Sequence, residues 1–211
     1  MTDCAVFYDC EFLTAPGAPQ RFWCGPNDPD PVIFQVGAVR IGLEPPFDEL
    51  ERFEVLVQPK DRSGVPVALH PLAEKLTGVT NARLAAEGRS LAEGLDAFAQ
   101  FVGDDAIWSW GKDEFNMMAI SAYVEGLVPP IPAHRFGNAT RLFLHAGLPL
   151  EEVQSLRSNT MATHFGIEVP DARGHDALGD ARMVTAVVVH LMSTGRLDPT
   201  VLKHPTAPVP A

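Results

Sequence analysis

Apolar positions follow two regimes along the chain. Residues 4–10 and Val32 to Ile41 are apolar runs of strand length. Phe53 to Pro59 alternates apolar and polar, as a half-buried strand does, and proline stops it. The short separations predict an antiparallel meander. Between the first two runs, Thr14 to Pro31 is rich in Pro, Gly and Asp. It reads as a loop, and loops of this length are often functional or mobile.

Helical spacing then takes over. Pro71 to Leu76 reads as a short helix with proline near its start. Ser90-Leu91-Ala92-Glu93 is a capping-box signature, with an apolar stripe from Leu91, Leu95, Phe98, Phe101 and Val102. Ala106 to Trp110 predicts a fourth strand and His134 to Asn138 a fifth. Between them, Asp113 to Glu125 predicts a helix with Met117, Ile120 and Val124 on one face. Helices are expected over 139–147 and 158–165, and a last one from Asp176 to Met192 carries Val184, Val187, Val188 and Leu191. From Pro199 the chain is rich in Pro and Thr and is expected to be loosely ordered. The expected division is a domain over 1–195 and a tail over 196–211. Three strands followed by alternating helix and strand predict an α/β fold, a mixed sheet with helices on its faces.

Composition narrows this modestly. A chain of 211 residues suits one domain with a tail and can bury a real core. No run of about eighteen apolar residues occurs, so no membrane span is expected. Met1-Thr2-Asp3-Cys4 lacks a basic stretch, so no secretory signal is expected. Cys4, Cys10 and Cys24 show neither CxxC spacing nor an even count, and read as reduced thiols of a cytoplasmic protein. The net charge of −11 opposes a tight grip on long duplex nucleic acid, which needs basic side chains against phosphates. A short single strand held at one end remains compatible.

Candidate chemistry lies at two places. Asp9 and Glu11 sit two apart at the end of the first apolar run, so on a strand they face one side. His175 and Asp180 lie five apart at the start of the last helix. Oxygen-rich sets of this kind hold hard divalent cations. Two such ions, about 3.5–4 Å apart, clamp the attacking and leaving oxygens of a phosphoryl transfer. Taken alone, the Asp9–Glu11 pair is equally explained as the polar end of a strand.

Four segments in order then carry a family resemblance: Asp9-Cys10-Glu11, Ile33-Phe34-Gln35-Val36-Gly37-Ala38-Val39, Leu76-Thr77-Gly78-Val79-Thr80, and His175 with Asp180-Ala181-Arg182. Across residues 4–192 the chain resembles the DEDDh 3′–5′ exonucleases, the superfamily of ribonuclease T and the proofreading exonuclease of DNA polymerase III. The resemblance implies a ribonuclease H-like fold: a mixed five-stranded sheet, three antiparallel strands and then parallel ones, flanked by helices. Trp108-Ser109-Trp110-Gly111 is similar to a branch of RNA-processing exonucleases with Trp-Gly before the second acidic motif. There the chain departs from the pattern. The family places Asp in Trp-Gly-x-x-Asp, and counting from Trp110-Gly111 reaches Glu114. Asp113 lies one residue earlier, and Asp suits a helix N-terminus. We place Asp113 in the metal set and keep Glu114 as the alternative.

The resemblance implies hydrolysis of phosphodiesters from a 3′ end, releasing nucleoside 5′-monophosphates, with two divalent ions (Mg²⁺ or Mn²⁺). Asp9 would touch both ions, Glu11, Asp113 and Asp180 would complete their shells, and His175 would take the proton of the attacking water. Histidine suits that role near neutrality, although a solvent-facing residue beside a helix cap is its plain alternative. The expected partner is the 3′ end of a short single-stranded nucleic acid, RNA ahead of DNA; a homodimer is compatible. Phe12, Leu13, Leu76, Thr77, Val79 and Trp23 are candidates for contact with the terminal nucleotide, the apolar ones being equally explained as core. Trp108 and Trp110 are assigned to the core. Arg21, Lys112 and Arg173 are the candidate phosphate contacts. Competing readings are a catalytically weak or inactive binding module and another metal-dependent hydrolase, such as a nucleotide phosphatase. The set Asp9, Glu11, His175 and Asp180 argues against an inactive module.

Overall fold

Alternation along the central strand sets the architecture. The structure, a computed structural model, describes residues 3–206 and 208. Strand β1 (Cys4–Phe12) pairs antiparallel with β2 (Ile33–Gly42), which pairs antiparallel with β3 (Glu49–Leu56). On its other side β1 pairs parallel with β4 (Ala106–Ser109), and β4 parallel with β5 (Phe136–Asn138), giving the order β3-β2-β1-β4-β5. The expected mixed five-stranded sheet is therefore the one that forms. Val6, Tyr8 and Cys10 of β1 point to one face, Ala5 and Phe7 to the other, and both sets are buried. That is why β1 reads as an unbroken apolar run rather than an alternating one.

Helices cover both faces. Helix α3 (Leu91–Val102) starts at Ser90, whose hydroxyl accepts from Glu93 N–H at 3.3 Å while Glu93 Oε2 accepts from Ser90 N–H at 3.0 Å. A cap of this kind stabilises the helix by about 1 kcal/mol. Leu91, Leu95, Phe98 and Val102 of α3 bury against Val6, Tyr8 and Ile107. Helix α4 (Asp113–Val124) completes this layer, and Ser121 Oγ accepts from the N–H of Ile33 at 2.9 Å. The opposite face is covered by α8 (Ala177–Ser193), whose Ala181, Val184, Val187, Val188 and Leu191 pack with Phe7, Val39, Ile41 and Trp108. Helices α5 (Thr140–His145), α6 (Leu150–Ser155) and α7 (Ser158–His164) close the rim of that layer. Helices α1 (Pro71–Thr77) and α2 (Asn81–Glu87) form a smaller third cluster around Leu69, Ala73, Val79 and Leu84.

Several expectations need correction. Strand β3 begins four residues earlier than the alternating pattern, at Glu49, because its first half is an edge bearing exposed charges. Charges blunt such edges against further pairing and erase the apolar signal. A 3₁₀ turn, Ala133–Arg135, replaces the start of the fifth strand. Helices α2 and α6 were not anticipated; each buries a single side chain, Leu84 and Val153 respectively. The segment from Pro199, expected to be loose, forms a 3₁₀ helix over Pro199–Lys203. Its Leu202 is fully buried, and the Leu202 carbonyl accepts from Trp108 Nε1 at 3.0 Å. Residues 207 and 209–211 of the tail lie outside the described residues. No helix among the described residues is long and apolar enough to cross a membrane.

Candidate active site

At the C-terminal end of β1 the face that carries Ala5 and Phe7 turns acidic with Asp9 and Glu11. Two features of β2 let α8 meet them. Gly37 stands opposite Asp9 in the ladder, and a Cβ there would come within 2.1 Å of the Leu178 nitrogen. Only glycine allows the first turn of α8 to lie directly on the sheet. Gln35, opposite Glu11 and fully buried, donates through Nε2 to Asp176 Oδ1 at 3.0 Å and accepts through Oε1 from Ala177 N–H at 3.4 Å. Asp176 in turn caps α8, its Oδ2 accepting from Gly179 N–H at 3.0 Å. Thus β2 holds the α8 N-terminus by an amide, and Asp180, one turn in, lands beside β1.

The loop before α8 is held as closely. A Cβ on Gly179 would meet the Arg173 carbonyl oxygen at 2.3 Å, so glycine lets residues 173–175 fold back over the helix. His175 has a left-handed backbone, φ 59°, and its N–H donates to Asp180 Oδ2 at 3.1 Å. Its ring is exposed. Nε2 lies 3.4 Å from the Asn159 side-chain amide. Ligand atoms of Glu11, His175 and Asp180 all lie within 4.8 Å of one another.

The fourth carboxylate comes from α4 and is Glu114. It is buried next to Asp9 and Ser109, whereas Asp113 faces solvent. The placement of Asp113 beside the other acids is therefore corrected. The turn Trp110-Gly111-Lys112 phases α4 so that its second residue, not its first, looks inward. Adjacent helical residues point about 100° apart, so only one of the two can do so.

These acids strain against one another. Burial, then the charges of Glu114, Glu11 and Asp180, hold the Asp9 carboxyl well above its ordinary range. Burial first and Asp180 next push Glu11 up to about 8. Burial likewise raises Glu114 to about 7, against the opposing pull of its own backbone N–H. Asp180 rises to about 7 through burial, with the His175 N–H acting the other way. Glu114 Oε2 and Asp180 Oδ1 are buried with no hydrogen-bond partner. Orphaned buried carboxylate oxygens are costly, and a hard cation satisfies them while relieving the repulsion. The donor set, carboxylate oxygens with one imidazole at the rim, fits divalent ions such as Mg²⁺ or Mn²⁺.

The other candidates divide. Leu13 and Val79 are core residues of the third cluster, and Thr77 is buried, donating to the Ala73 carbonyl at 2.9 Å. Phe12 is half-buried and Leu76 is 38 % exposed. Trp23 is half-buried against Phe12, ring centroids 6.0 Å apart, with Nε1 donating to the Leu13 carbonyl at 3.3 Å. Trp108 and Trp110 both join the α8-side core. Arg173 Nη2 donates to the Leu76 carbonyl at 2.9 Å, linking the α1 wall to the His175 loop. Lys112 is exposed at the start of α4. Arg21 is bound to Asp28 at 2.5 Å. Sequence reasoning gave no role to Gln35, Ser109 or Asn159. Gln35 lay within a recognised motif, but nothing in the sequence marked its amide as the anchor of a helix 141 residues away.

No protein-family model matches the chain, and no curated protein matches it. Solved structures do. The nuclease domain of 3′hExo, a DEDDh family member bound to rAMP, superposes with TM-score 0.75 at 16 % identity, over 93 % of this chain and 95 % of that one. A 3′-exonuclease in 3′-end-specific recognition of a histone mRNA stem-loop matches with TM-score 0.68 at 16 % identity, over 92 % and 83 %. Escherichia coli exonuclease I, in its zinc-bound complex with single-stranded DNA, matches with TM-score 0.63 at 20 % identity, over 92 % of this chain and 41 % of that one. With its β3-β2-β1-β4-β5 sheet, the chain has the ribonuclease H-like fold of the DEDDh 3′-exonucleases.

Proposed function

We propose that this chain is a metal-dependent 3′–5′ exonuclease acting on short single-stranded nucleic acid and releasing nucleoside 5′-monophosphates. One observation carries the reading. Four carboxylates from three separate elements, Asp9 and Glu11 of β1, Glu114 of α4 and Asp180 of α8, converge in one buried cluster with orphaned oxygens, beside a histidine at its rim. A purely structural cluster would pair its acids with Arg or Lys. The neighbours solved with rAMP, RNA and single-stranded DNA support the substrate class; we propose RNA ahead of DNA.

Asp9, Glu11, Glu114 and Asp180 would hold two divalent ions. Such ions, when bound, lower the pKa of a water and stabilise the leaving 3′ oxygen. The chain's own residues do the rest. His175, exposed but fixed at its backbone by Asp180, takes the proton from the attacking water. Its left-handed backbone holds the ring at the rim rather than in the cluster, where it reaches solvent and substrate together. Phe12 and Leu76 flank the place of the terminal nucleotide, and Arg173 and Lys112 are the remaining candidates for its phosphates.

The test is digestion of 5′-labelled single-stranded RNA and DNA of matched sequence, with Mg²⁺ or Mn²⁺, bearing a free or a blocked 3′ end. The expected result is a ladder shortening from the free 3′ end, abolished by Asp9→Asn. His175→Ala should lose rate while retaining metal binding by calorimetry. Absence of shortening with either metal, or turnover that survives Asp9→Asn, sinks the proposal. Release of inorganic phosphate from nucleotides alone would favour the phosphatase reading.

A further inference from the structure

The loop between β1 and β2 grows from the strand end that carries Asp9 and Glu11, and it is a braced structure. Its base is closed by Leu13 N–H donating to the Val32 carbonyl at 2.8 Å. Within it, Arg21 grips Asp28 through two hydrogen bonds, at 2.5 and 2.8 Å, and donates a third to the Pro16 carbonyl at 3.0 Å. Asp28 also accepts from Gly25 N–H at 2.8 Å. A second forked pair, Arg62 with Asp30 at 2.6 and 2.8 Å, ties the loop to the turn at Asp61–Val65. Both arginines are thus committed to carboxylates, and neither is free for phosphates.

In the middle of this loop two consecutive aromatics, Phe22 and Trp23, have left-handed backbones, φ 56° and 52°. Bulky L-residues rarely adopt this region, and glycine holds it without strain. The two side chains have opposite fates. Trp23 folds inward onto Phe12, the residue after Glu11. Phe22 is 85 % exposed. A braced loop that grows from the acidic end of β1 therefore holds a phenyl ring in water, next to the tryptophan that packs on Phe12, on a backbone that a phenylalanine does not favour. Packing explains none of this, since the ring is not packed.

We propose that Phe22 is a stacking platform for a nucleobase of the single strand, upstream of the nucleotide being removed; this rests on the exonuclease reading above. Stacking is indifferent to base identity and needs no positive charge. It suits a chain with a net charge of −11 in which the loop's Arg21, and the Arg62 that ties the loop down, are already paired. Left-handed backbones at bulky residues concentrate at functional sites.

Two measurements test it, one independent of catalysis. Binding is read with a ten-nucleotide single strand carrying 2-aminopurine upstream of its 3′ end, with Ca²⁺ in place of Mg²⁺. Phe22→Ala should weaken binding about tenfold and reduce the quenching of the probe, as loss of one base–aromatic stack does; Phe22→Tyr should restore both. Phe22→Gly relieves the backbone, so its Tm should be no lower than that of the parent while its binding is as weak as that of Phe22→Ala. Hydrolysis is read in parallel on the decamer and on a nucleoside 5′-phosphate nitrophenyl ester. Phe22→Ala should raise the decamer KM about tenfold more than the ester KM. Unchanged affinity and quenching in Phe22→Ala would overturn the assignment, as would equal losses on both substrates. A parent protein that binds the probe with Phe22-dependent quenching but hydrolyses neither substrate would support the platform and sink the exonuclease reading.

Discussion

Glu114 reaches Asp9 from the first turn of α4 with a side chain one methylene longer than the aspartate of the family pattern. That length makes the assignment testable at a single residue. Glu114→Gln should lower exonuclease turnover by orders of magnitude, whereas Asp113→Asn, which alters an exposed acid, should lower it little. The same pair separates by stability. In metal-free protein above about pH 7, Glu114→Gln removes one of several buried like charges and should raise Tm, while Asp113→Asn should leave it nearly unchanged. Equal, mild effects on turnover would show that neither residue belongs to the site. Residue types at the other positions were legible: an acid pair two apart on a strand, and His and Asp five apart at a helix start, already point to this chemistry. The choice between Asp113 and Glu114 was not legible, because the geometry of one three-residue turn fixes the phase of the helix against the strand.

At the level of elements, the site depends on how α8 docks. Gly37 removes a side chain so that the helix backbone lies on the sheet, and Gln35 supplies the amide that holds its first residues. Gly37→Ala puts a methyl group against the Leu178 nitrogen and should cost about 1–3 kcal/mol by overpacking, with a loss of activity exceeding the loss of folded fraction. Gln35→Leu leaves Asp176 Oδ1 and the Ala177 N–H without their side-chain partner, a penalty of about 1–3 kcal/mol. Urea denaturation at fixed pH reads both. Wild-type stability in either variant would mean that α8 is held by its apolar face alone. The apolar face of α8, the stripe of α3 and the buried run of β1 were readable because each repeats its signal over several turns or residues. Helices α2 and α6, each burying one side chain, and the charged half of β3 carry no such repetition. The Gln35–α8 link was invisible for another reason: an amide reads as any polar residue until the fold brings its partners to it.

For the molecule as a whole, the acidic cluster makes stability depend on pH in an uncommon direction. Folding raises the carboxyls of Asp9, Glu11, Glu114 and Asp180, so the metal-free folded state holds protons more tightly than the unfolded chain. Their contribution is fully present below the ordinary carboxylate values and is lost as pH rises through about 7 to 8. In EDTA, Tm should therefore fall between about pH 5 and pH 8.5. Saturating Mg²⁺ or Mn²⁺ should remove most of that fall, since the cations take the place of the protons. A metal-free Tm that is flat or rising over this range would mean that the four acids do not share one site.

The contact between Asp3 and Lys203 joins the beginning of β1 to the 3₁₀ helix that follows α8. Asp9 lies six residues further along the same strand, roughly 20 Å away at the rise of an extended chain. The candidate site and the Asp3–Lys203 contact therefore lie toward opposite ends of β1. A circular permutant, with a short linker from residue 203 to residue 3 and new ends in the exposed turn at Ser63-Gly64, preserves every element that carries the site.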